Sequence, residues 1–276
     1  MDQDLRVRPS LSRFSVCILL LLGLWTASGC NRDRTAPTQN EGVSPAQRGA
    51  EIVAEFLKRD AAPYRKNRVR LTIAAPPDPL KTYELEIWRK QTAGETLTLT
   101  HVVQPVAEND LAALSIEKPG VPTVNVTYVS STGDFRETGT NKMFFGGLTA
   151  QELLGEWDKY DYRFLGEKEL QGIKVYEVEG TLKPGNDSAI ARSRTLFRSD
   201  TYLPAELHLF NSGGDEVRTF RVVNYKNVDG HEVVWHMEIE NHVRQARVSI
   251  ETLGVEFPDK VDDAMFTRER LKQLAK

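Results

Sequence analysis

The apolar and polar positions divide the chain into an apolar run near the N-terminus, a polar segment and a long stretch of alternation. The apolar run covers residues 14–25, and residues 31–44 contain almost no apolar side chain. From Arg68 onwards, short runs alternate apolar and polar residues, as where Leu97 and Leu99 alternate with threonines, and Gly, Pro, Asn and Asp residues separate the runs. This pattern predicts antiparallel strands with one dry face and one solvated face.

Three segments have helical features: one precedes the alternation, one interrupts it and one follows it. Ser44 followed by Pro45 is typical of a helix start, and apolar residues at helical spacing predict an amphipathic helix over residues 45–57. Thr149, with Glu152 three residues later, forms a capping box and predicts a short helix up to Trp157. A last, basic helix is predicted after Thr267.

The number of strands predicts the fold class, which is α+β and mainly β. About ten or more consecutive strands with tight turns predict one curled sheet, because a flat sheet of that size normally curls, splits or closes. An open or closed up-and-down barrel is the natural result, and the helices can plug or cover its mouth. Such a barrel can enclose an apolar cavity large enough for a lipid. The candidate cavity-lining residues are Trp88, Phe144, Phe145, Phe197, Phe220 and Trp235. A packed core uses the same residue types, so both interpretations stay open.

The first thirty residues have the features of a lipoprotein signal peptide. Basic residues, a short apolar run and small residues follow one another in the order of a secretory signal, and the run is shorter than the about 20 residues that a membrane crossing needs. Residues 27–30 resemble a lipobox, which implies cleavage between Gly29 and Cys30 and transfer of diacylglycerol to the Cys30 thiol. An uncleaved anchor and an ordinary signal peptide are the alternatives.

This interpretation predicts three regions of the chain. Residues 1–29 form the signal peptide, residues 30–44 form the lipidated cysteine and a flexible polar tether, and residues 45–276 form the folded domain. Cys17 leaves with the signal peptide, so Cys30 has no partner for an intramolecular disulfide. In the lipoproteins that this N-terminus resembles, Asp after the cysteine favours the inner membrane, so Asn31 favours the outer membrane, with the domain facing the periplasm.

The composition and the sequence motifs give little evidence for catalysis, metal binding or nucleic-acid binding. The net charge of −3 gives no basic surplus for nucleic acid, and the chain has no Gly-x-Ser-x-Gly elbow, phosphate-binding glycine loop or His-Glu-x-x-His motif. His236, Glu238, Glu240 and His242 share one strand face and could bind a divalent metal. A solvated strand face has the same pattern and is the favoured interpretation. We therefore predict no catalysis, no cofactor and no metal site.

A family resemblance rests on the order of several segments over most of the mature chain. The segments are residues 143–149, 160–166, 172–178, 197–200, 203–206, 213–214 and 262–267. Their order resembles the lipoprotein-sorting carriers of the Lol system (LolA and LolB), and more closely the broader group of outer-membrane lipoprotein-sorting proteins. The resemblance implies an unclosed antiparallel β-barrel with helices as a lid, which holds acyl chains in an apolar cavity without a cofactor.

Two functions follow as hypotheses. The first is a membrane-tethered carrier or receptor for lipid, acyl chains or lipoprotein, whose partners are membrane lipid, through the acylated Cys30, and a lipoprotein or acyl-chain ligand. The alternative is a structural or signalling envelope lipoprotein that binds another protein through the same sheet, which would show an exposed apolar patch.

Overall fold

The computed structural model describes residues 42–59, 62–106, 111–118, 120–139, 157–186 and 188–275. Val43–Lys276 forms one compact unit. The predicted cleavage site at Gly29 and Cys30 and the helix predicted from Thr149 up to Trp157 lie outside the described residues, apart from Trp157 itself. None of the helices that the structure describes has the length and apolar content that a membrane crossing requires.

The described part of the chain contains a single thirteen-stranded antiparallel sheet. The strands are β1 (Tyr64–Ala74), β2 (Lys81–Gln91), β3 (Thr96–Gln104), β4 (Ala112–Lys118), β5 (Val121–Val129), β6 (Asp134–Thr138), β7 (Tyr160–Leu170), β8 (Ile173–Leu182), β9 (Arg192–Arg198), β10 (Pro204–Phe210), β11 (Glu216–Val228), β12 (His231–Asn241) and β13 (Ala246–Glu256). The alternation in the sequence forms these strands because period-two side chains point to opposite faces of a sheet.

The order of the strands leaves two edges that lie far apart along the sheet. Consecutive strands are neighbours from β1 to β6 and from β7 to β13, and β1 pairs with β13. The two edges are therefore β6 and β7, which pairing between them would join into a closed barrel. The prediction of an unclosed antiparallel sheet of ten or more strands is confirmed.

Helix α1 (Pro45–Arg59) packs against β7. Ser44 Oγ accepts a hydrogen bond from the Gln47 backbone N–H at 3.1 Å and caps the helix. Gly49 allows the close approach, because a Cβ atom there would lie 2.8 Å from the backbone nitrogens of Arg163 and Phe164. Any larger side chain at this position must therefore push the helix away from the strand.

Helix α2 (Arg268–Leu274) follows a 3₁₀ turn (Asp263–Phe266) and packs near β4 and β5. Thr267 Oγ1 accepts a hydrogen bond from the Arg270 backbone N–H at 3.2 Å, which is the predicted N-cap. Arg268 forms an ion pair with Glu137 of β6. The C-terminal helix is thus held on the half of the sheet formed by β1–β6.

The two helices cover opposite faces of the sheet. We call the face under α1 the inner face; on β1 it carries Val69, Leu71 and Ile73. The outer face carries the alternate residues. Cross-strand register links Leu85 to Val102 on the inner face and Trp88 to Leu99 on the outer face. Helix α2 packs on the outer face, against a cluster that contains Leu99, Leu114 and Val126.

Candidate functional site

A continuous apolar band lies along the inner face from β3 through β1 to β10. Its buried side chains form a single cluster of Val69, Leu71, Ile73, Tyr83, Leu85, Val102, Ile190, Leu209, Phe220, Ile239 and Val248. The register brings them together: Ile73 lies opposite Val248, and Phe220 lies opposite Ile239. Apolar cross-strand neighbours stabilise a sheet and keep water away from its surface. This band is the largest cluster of buried apolar side chains in the described part of the molecule.

Helix α1 covers the inner face where it reaches β7, β8 and β9. Phe56 of the helix contacts Trp157 and Phe197, with ring centroids 5.0 and 5.7 Å apart. Phe197 is fully buried, as is Ile52 of the helix. The Tyr162 hydroxyl donates to the Trp157 carbonyl oxygen at 2.7 Å, and burial raises the pKa of this phenol. The helix therefore occupies one end of the inner face, while the apolar band continues beyond it.

The outer face of β7–β9 carries a network of ion pairs. Glu177 lies 2.7 Å from Lys168 and 3.5 Å from Arg194. Glu179 lies 3.3 Å from Arg192. Glu177 is buried, but its cationic partners are partly exposed, so this face remains in contact with water. These charged positions are the solvated part of the outer face on β7–β9, where Val175 and Leu196 are also buried.

The predicted cavity-lining residues are divided between the two faces. Phe220 belongs to the apolar band, and Phe197 lies on the same face under α1. Trp88 lies on the outer face, where it packs against the α2 cluster and the Lys66 ammonium lies 4.8 Å from its ring centroid. The structure therefore does not bring Trp88 together with Phe220.

Of the three remaining predicted cavity-lining residues, one lies on a strand of the sheet and two lie outside the described residues. Trp235 lies on β12, and the Lys226 ammonium lies 3.8 Å from its ring centroid. Phe144 and Phe145 lie outside the described residues.

The histidines of the alternative metal hypothesis have separate hydrogen-bond partners. His236 Nε2 lies 3.0 Å from Ser249 Oγ, and His242 Nε2 lies 2.8 Å from Thr219 Oγ1. Within the described ranges, no group of three or more His, Cys, Asp or Glu side chains is arranged to hold a metal ion. Each histidine therefore contacts a different hydroxyl group, on β13 for His236 and on β11 for His242.

The structure contains a second histidine cluster that the sequence pattern did not predict. His208 on β10 lies between two carboxylates, with Nδ1 2.8 Å from Glu216 and Nε2 3.4 Å from Glu206. Alternation on β10 could have paired His208 with Glu206. Glu216 comes from the next strand, so only the register shows the full cluster.

Solved structures of other proteins share this fold. The chain is similar to a DUF1329 family protein from Desulfovibrio piger, with a TM-score of 0.77, 19% identity, and coverage of 83% of this chain and 99% of that one. An outer membrane lipoprotein-sorting protein domain from Vibrio parahaemolyticus gives a TM-score of 0.76, 18% identity, and coverage of 82% and 99%. The LolA superfamily protein NE2245 from Nitrosomonas europaea gives a TM-score of 0.66 and 13% identity, with coverage of 80% of this chain and 98% of that one. The molecule therefore shares the fold of these three structures, as the resemblance in segment order implied.

A family model described as "-like: Uncharacterized protein" matches residues 94–273. The match spans more than half of the chain, and the chain belongs to this family. Curated proteins give no significant match.

Proposed function

We propose that this protein is a membrane-anchored periplasmic carrier or receptor of the lipoprotein-sorting type, which holds acyl chains against its inner face without catalysing a reaction. The observation that carries the proposal is the apolar band, which continues from Val102 on β3 to Leu209 on β10 in a sheet that stays open between β6 and β7. An open edge gives a long chain a route to an interior surface. The descriptions of two structural neighbours, an outer membrane lipoprotein-sorting domain and a LolA superfamily protein, support the same class.

Helix α1 fits this proposal as a partial plug. It covers the inner face at β7–β9 through Ile52, Val53 and Phe56. Apolar contacts of this kind exchange readily for contacts with another hydrocarbon, because hydrophobic attraction is not directional. A ligand chain that enters between β6 and β7 would meet the helix first and the apolar band behind it.

The membrane anchor is the second part of the proposal. Residues 1–29 act as a lipoprotein signal peptide, Cys30 carries the acyl chains, and residues 31–44 tether the domain to the periplasmic side of the outer membrane. One acyl chain binds a membrane only weakly, but several chains hold it stably, at about 0.8 kcal/mol per buried CH₂ group. The anchor would keep the carrier beside the membrane that it serves.

Site-specific photo-crosslinking in the full-length chain tests the ligand. p-Benzoylphenylalanine replaces Met237, which packs against the apolar band, or its neighbour Glu238, which is exposed on the outer face. Since adjacent residues of a strand face opposite sides, position 238 is a matched control. We expect mass spectrometry to identify acyl-chain lipid or lipoprotein acyl groups on position 237 and none on position 238. Adducts only with unacylated protein at position 237 would favour the protein-binding alternative, and the absence of any acyl adduct would contradict the carrier function.

Substitution of the cysteine tests the anchor. Cys30→Ser should leave the precursor unlipidated and uncut, because serine offers no thiol to accept the diacylglycerol. Metabolic labelling with an alkyne fatty acid, together with the gel mobility of the precursor, measures both steps. A Cys17→Ser variant, which keeps Cys30, should mature normally and serves as the control. Normal maturation of Cys30→Ser to a membrane-anchored form would contradict the proposal that Cys30 is the lipidated residue.

A further inference from the structure

The inner face changes from apolar to polar as it approaches the β6 edge. On β3 the buried apolar band ends with Val102, and on β2 it ends with Leu85 and the partly buried Ile87. Beyond them, most inward positions of β3–β6 carry hydroxyl or amide groups, although Ala113 lies between Thr100 and Thr127. These residues, which we call the hydroxyl patch, are Thr98, Thr100, Ser115, Asn125, Thr127 and Thr138.

The register places the members of the hydroxyl patch side by side across four strands. Thr98 on β3 lies opposite Ser115 on β4, which lies opposite Asn125 on β5. Asn125 in turn lies opposite Thr138 on β6. Directly opposed residues have Cβ atoms about 4.5–5.5 Å apart. Four members of the patch therefore form a continuous polar row from β3 to the open edge at β6, and Arg89 on β2 continues this row.

The centre of the patch is dry. Asn125 is fully buried, and Thr98 is 8% exposed. Ser115 Oγ donates to Asn125 Oδ1 at 2.5 Å, and Asn125 Nδ2 donates to the Gly139 carbonyl oxygen at 3.3 Å. The amide of Asn125 is thus held in one orientation among other polar groups.

Three side-chain oxygens on this face are buried without a hydrogen-bond partner among the described residues. Two lie beside the patch: Thr138 Oγ1, at the β6 edge, and Gln91 Oε1, at the end of β2 opposite Thr96. The third is Asn67 Oδ1 on β1, opposite Ile87. Buried polar atoms in native proteins nearly always have a partner, and an orphaned one requires an explanation. A bound molecule with its own hydroxyl groups would supply that partner.

Three charged residues lie on the same face as the patch. Arg89 lies opposite Thr98, Arg136 lies opposite Thr127, and Glu117 belongs to the end of β4. Arg89 and Glu117 take part in other interactions, and Arg136 is exposed on the edge strand. Ser115 and Asn125, on the strands beyond Thr98, offer only neutral donors and acceptors, and an anionic group beside them would lose its hydration without a paired cation.

Building on the function proposed above, we propose that the hydroxyl patch binds a neutral, hydroxyl-bearing head group, such as glycerol or a sugar, of the acyl-chain ligand. The acyl chain lies along the apolar band, and the head lies near β6, at the opening. The two halves of the inner face thereby match the two halves of an amphipathic lipid. The ligand class is a neutral acylglycerol or glycolipid rather than a fatty acid or an anionic lipid.

The test uses three photoreactive lipids with the same diazirine-bearing acyl chain: a monoacylglycerol, a fatty acid and a lysophosphatidic acid. The full-length anchored protein is reconstituted in nanodiscs and labelled with each probe. Hydrogen bonds between neutral groups are worth roughly a two- to tenfold change in affinity, so the monoacylglycerol should label the protein about two- to tenfold more strongly. Thr98→Val and, separately, Ser115→Ala should reduce this preference towards equal labelling while acyl labelling persists. Thr72→Val, on the outer face of β1, is the matched control and should keep the preference.

The outcomes separate this inference from the carrier function. Equal labelling by the three probes, stronger labelling by an anionic probe, or an unchanged preference in both patch variants would overturn the neutral-head site and leave acyl binding intact. Labelling by none of the probes would overturn the carrier function and the head-group site together. Thermal melts check that each variant folds, and Ser115→Ala, at a partly buried position, provides a reading if Thr98→Val does not fold.

Discussion

Helices α1 and α2 are both amphipathic and both bury apolar side chains against the sheet, but they do so on opposite faces. Helix α1 buries Ile52 and Val53 on the inner face, beside the apolar band. Helix α2 buries Leu271 on the outer face, over β3–β5. The difference separates two roles that the sequence pattern does not distinguish. Both helices complete a packed cluster, and in the function proposed above only α1 occupies a surface that an acyl chain also occupies.

The largest change in the free energy of unfolding is expected when the buried contact of each helix is removed in turn. Ile52→Ala and Leu271→Ala each remove a fully buried side chain and should lower the free energy of unfolding by about 2–5 kcal/mol, measured by urea denaturation. Only Ile52→Ala should also increase acyl labelling at position 237, because only α1 lies on the inner face. Equal labelling changes in the two variants would contradict the division of roles.

A smaller effect is expected from the close contact of α1 with β7. Gly49→Ala places a methyl group 2.8 Å from backbone atoms of Arg163 and Phe164, and overpacking of this kind costs about 1–3 kcal/mol. Displacement of the helix should expose Trp157, so its fluorescence should become more accessible to acrylamide. Gly94→Ala, at a position with no atom within 4 Å of the added Cβ, is the control and should leave quenching unchanged.

The N-caps of the two helices offer a matched pair. Ser44→Ala removes the bond to Gln47, and Thr267→Ala removes the bond to Arg270. Each should lower the free energy of unfolding by about 1 kcal/mol. Hydrogen exchange should increase at the start of α1 in the first variant and at the start of α2 in the second. Spread of the effect to both helices in either variant would show that the two faces are coupled.

The smallest effect concerns pH, at the turn between β9 and β10 beside α1. Two hydrogen bonds from Arg198, at 3.1 and 2.7 Å, lower the pKa of Asp200. A lowered pKa in the folded state stabilises the protein above the unfolded pKa of about 3.9, and this stabilisation is lost as the pH falls through the folded pKa. Because Asp200 is 60% exposed, the contribution is below about 1 kcal/mol. Asp200→Asn should therefore destabilise slightly at pH 7, and the difference should vanish in acid; a constant difference down to pH 2 would contradict the ion pair.

Much of the architecture could be predicted from local pattern. Alternation indicated the strands, and the Ser44–Pro45 and Thr267 signals predicted the starts of α1 and α2. These features depend on residues close in sequence, and their physics is local. The membrane anchor at Cys30 is of the same kind and stays a prediction.

The candidate site depends on contacts between distant residues, and the sequence predicted it less well. Trp88 has the same apolar character as Phe220, yet lies on the other face. The hydroxyl patch was visible only as the polar side of strands such as β3, which the pattern predicts to be solvated. The cluster of His208, Glu206 and Glu216 likewise needs the pairing of β10 with β11.

The sequence by itself determined which residues of a strand share a face, because side chains alternate with period two whatever the strand contacts. It did not determine which face becomes the inner one. On β3, Val102 and Leu99 are both apolar, but the register places Val102 in the apolar band and Leu99 under α2. That choice follows from how thirteen strands pair across the whole sheet and where the two helices settle. Only the tertiary structure could therefore show that threonines on a strand with alternating leucines face the interior.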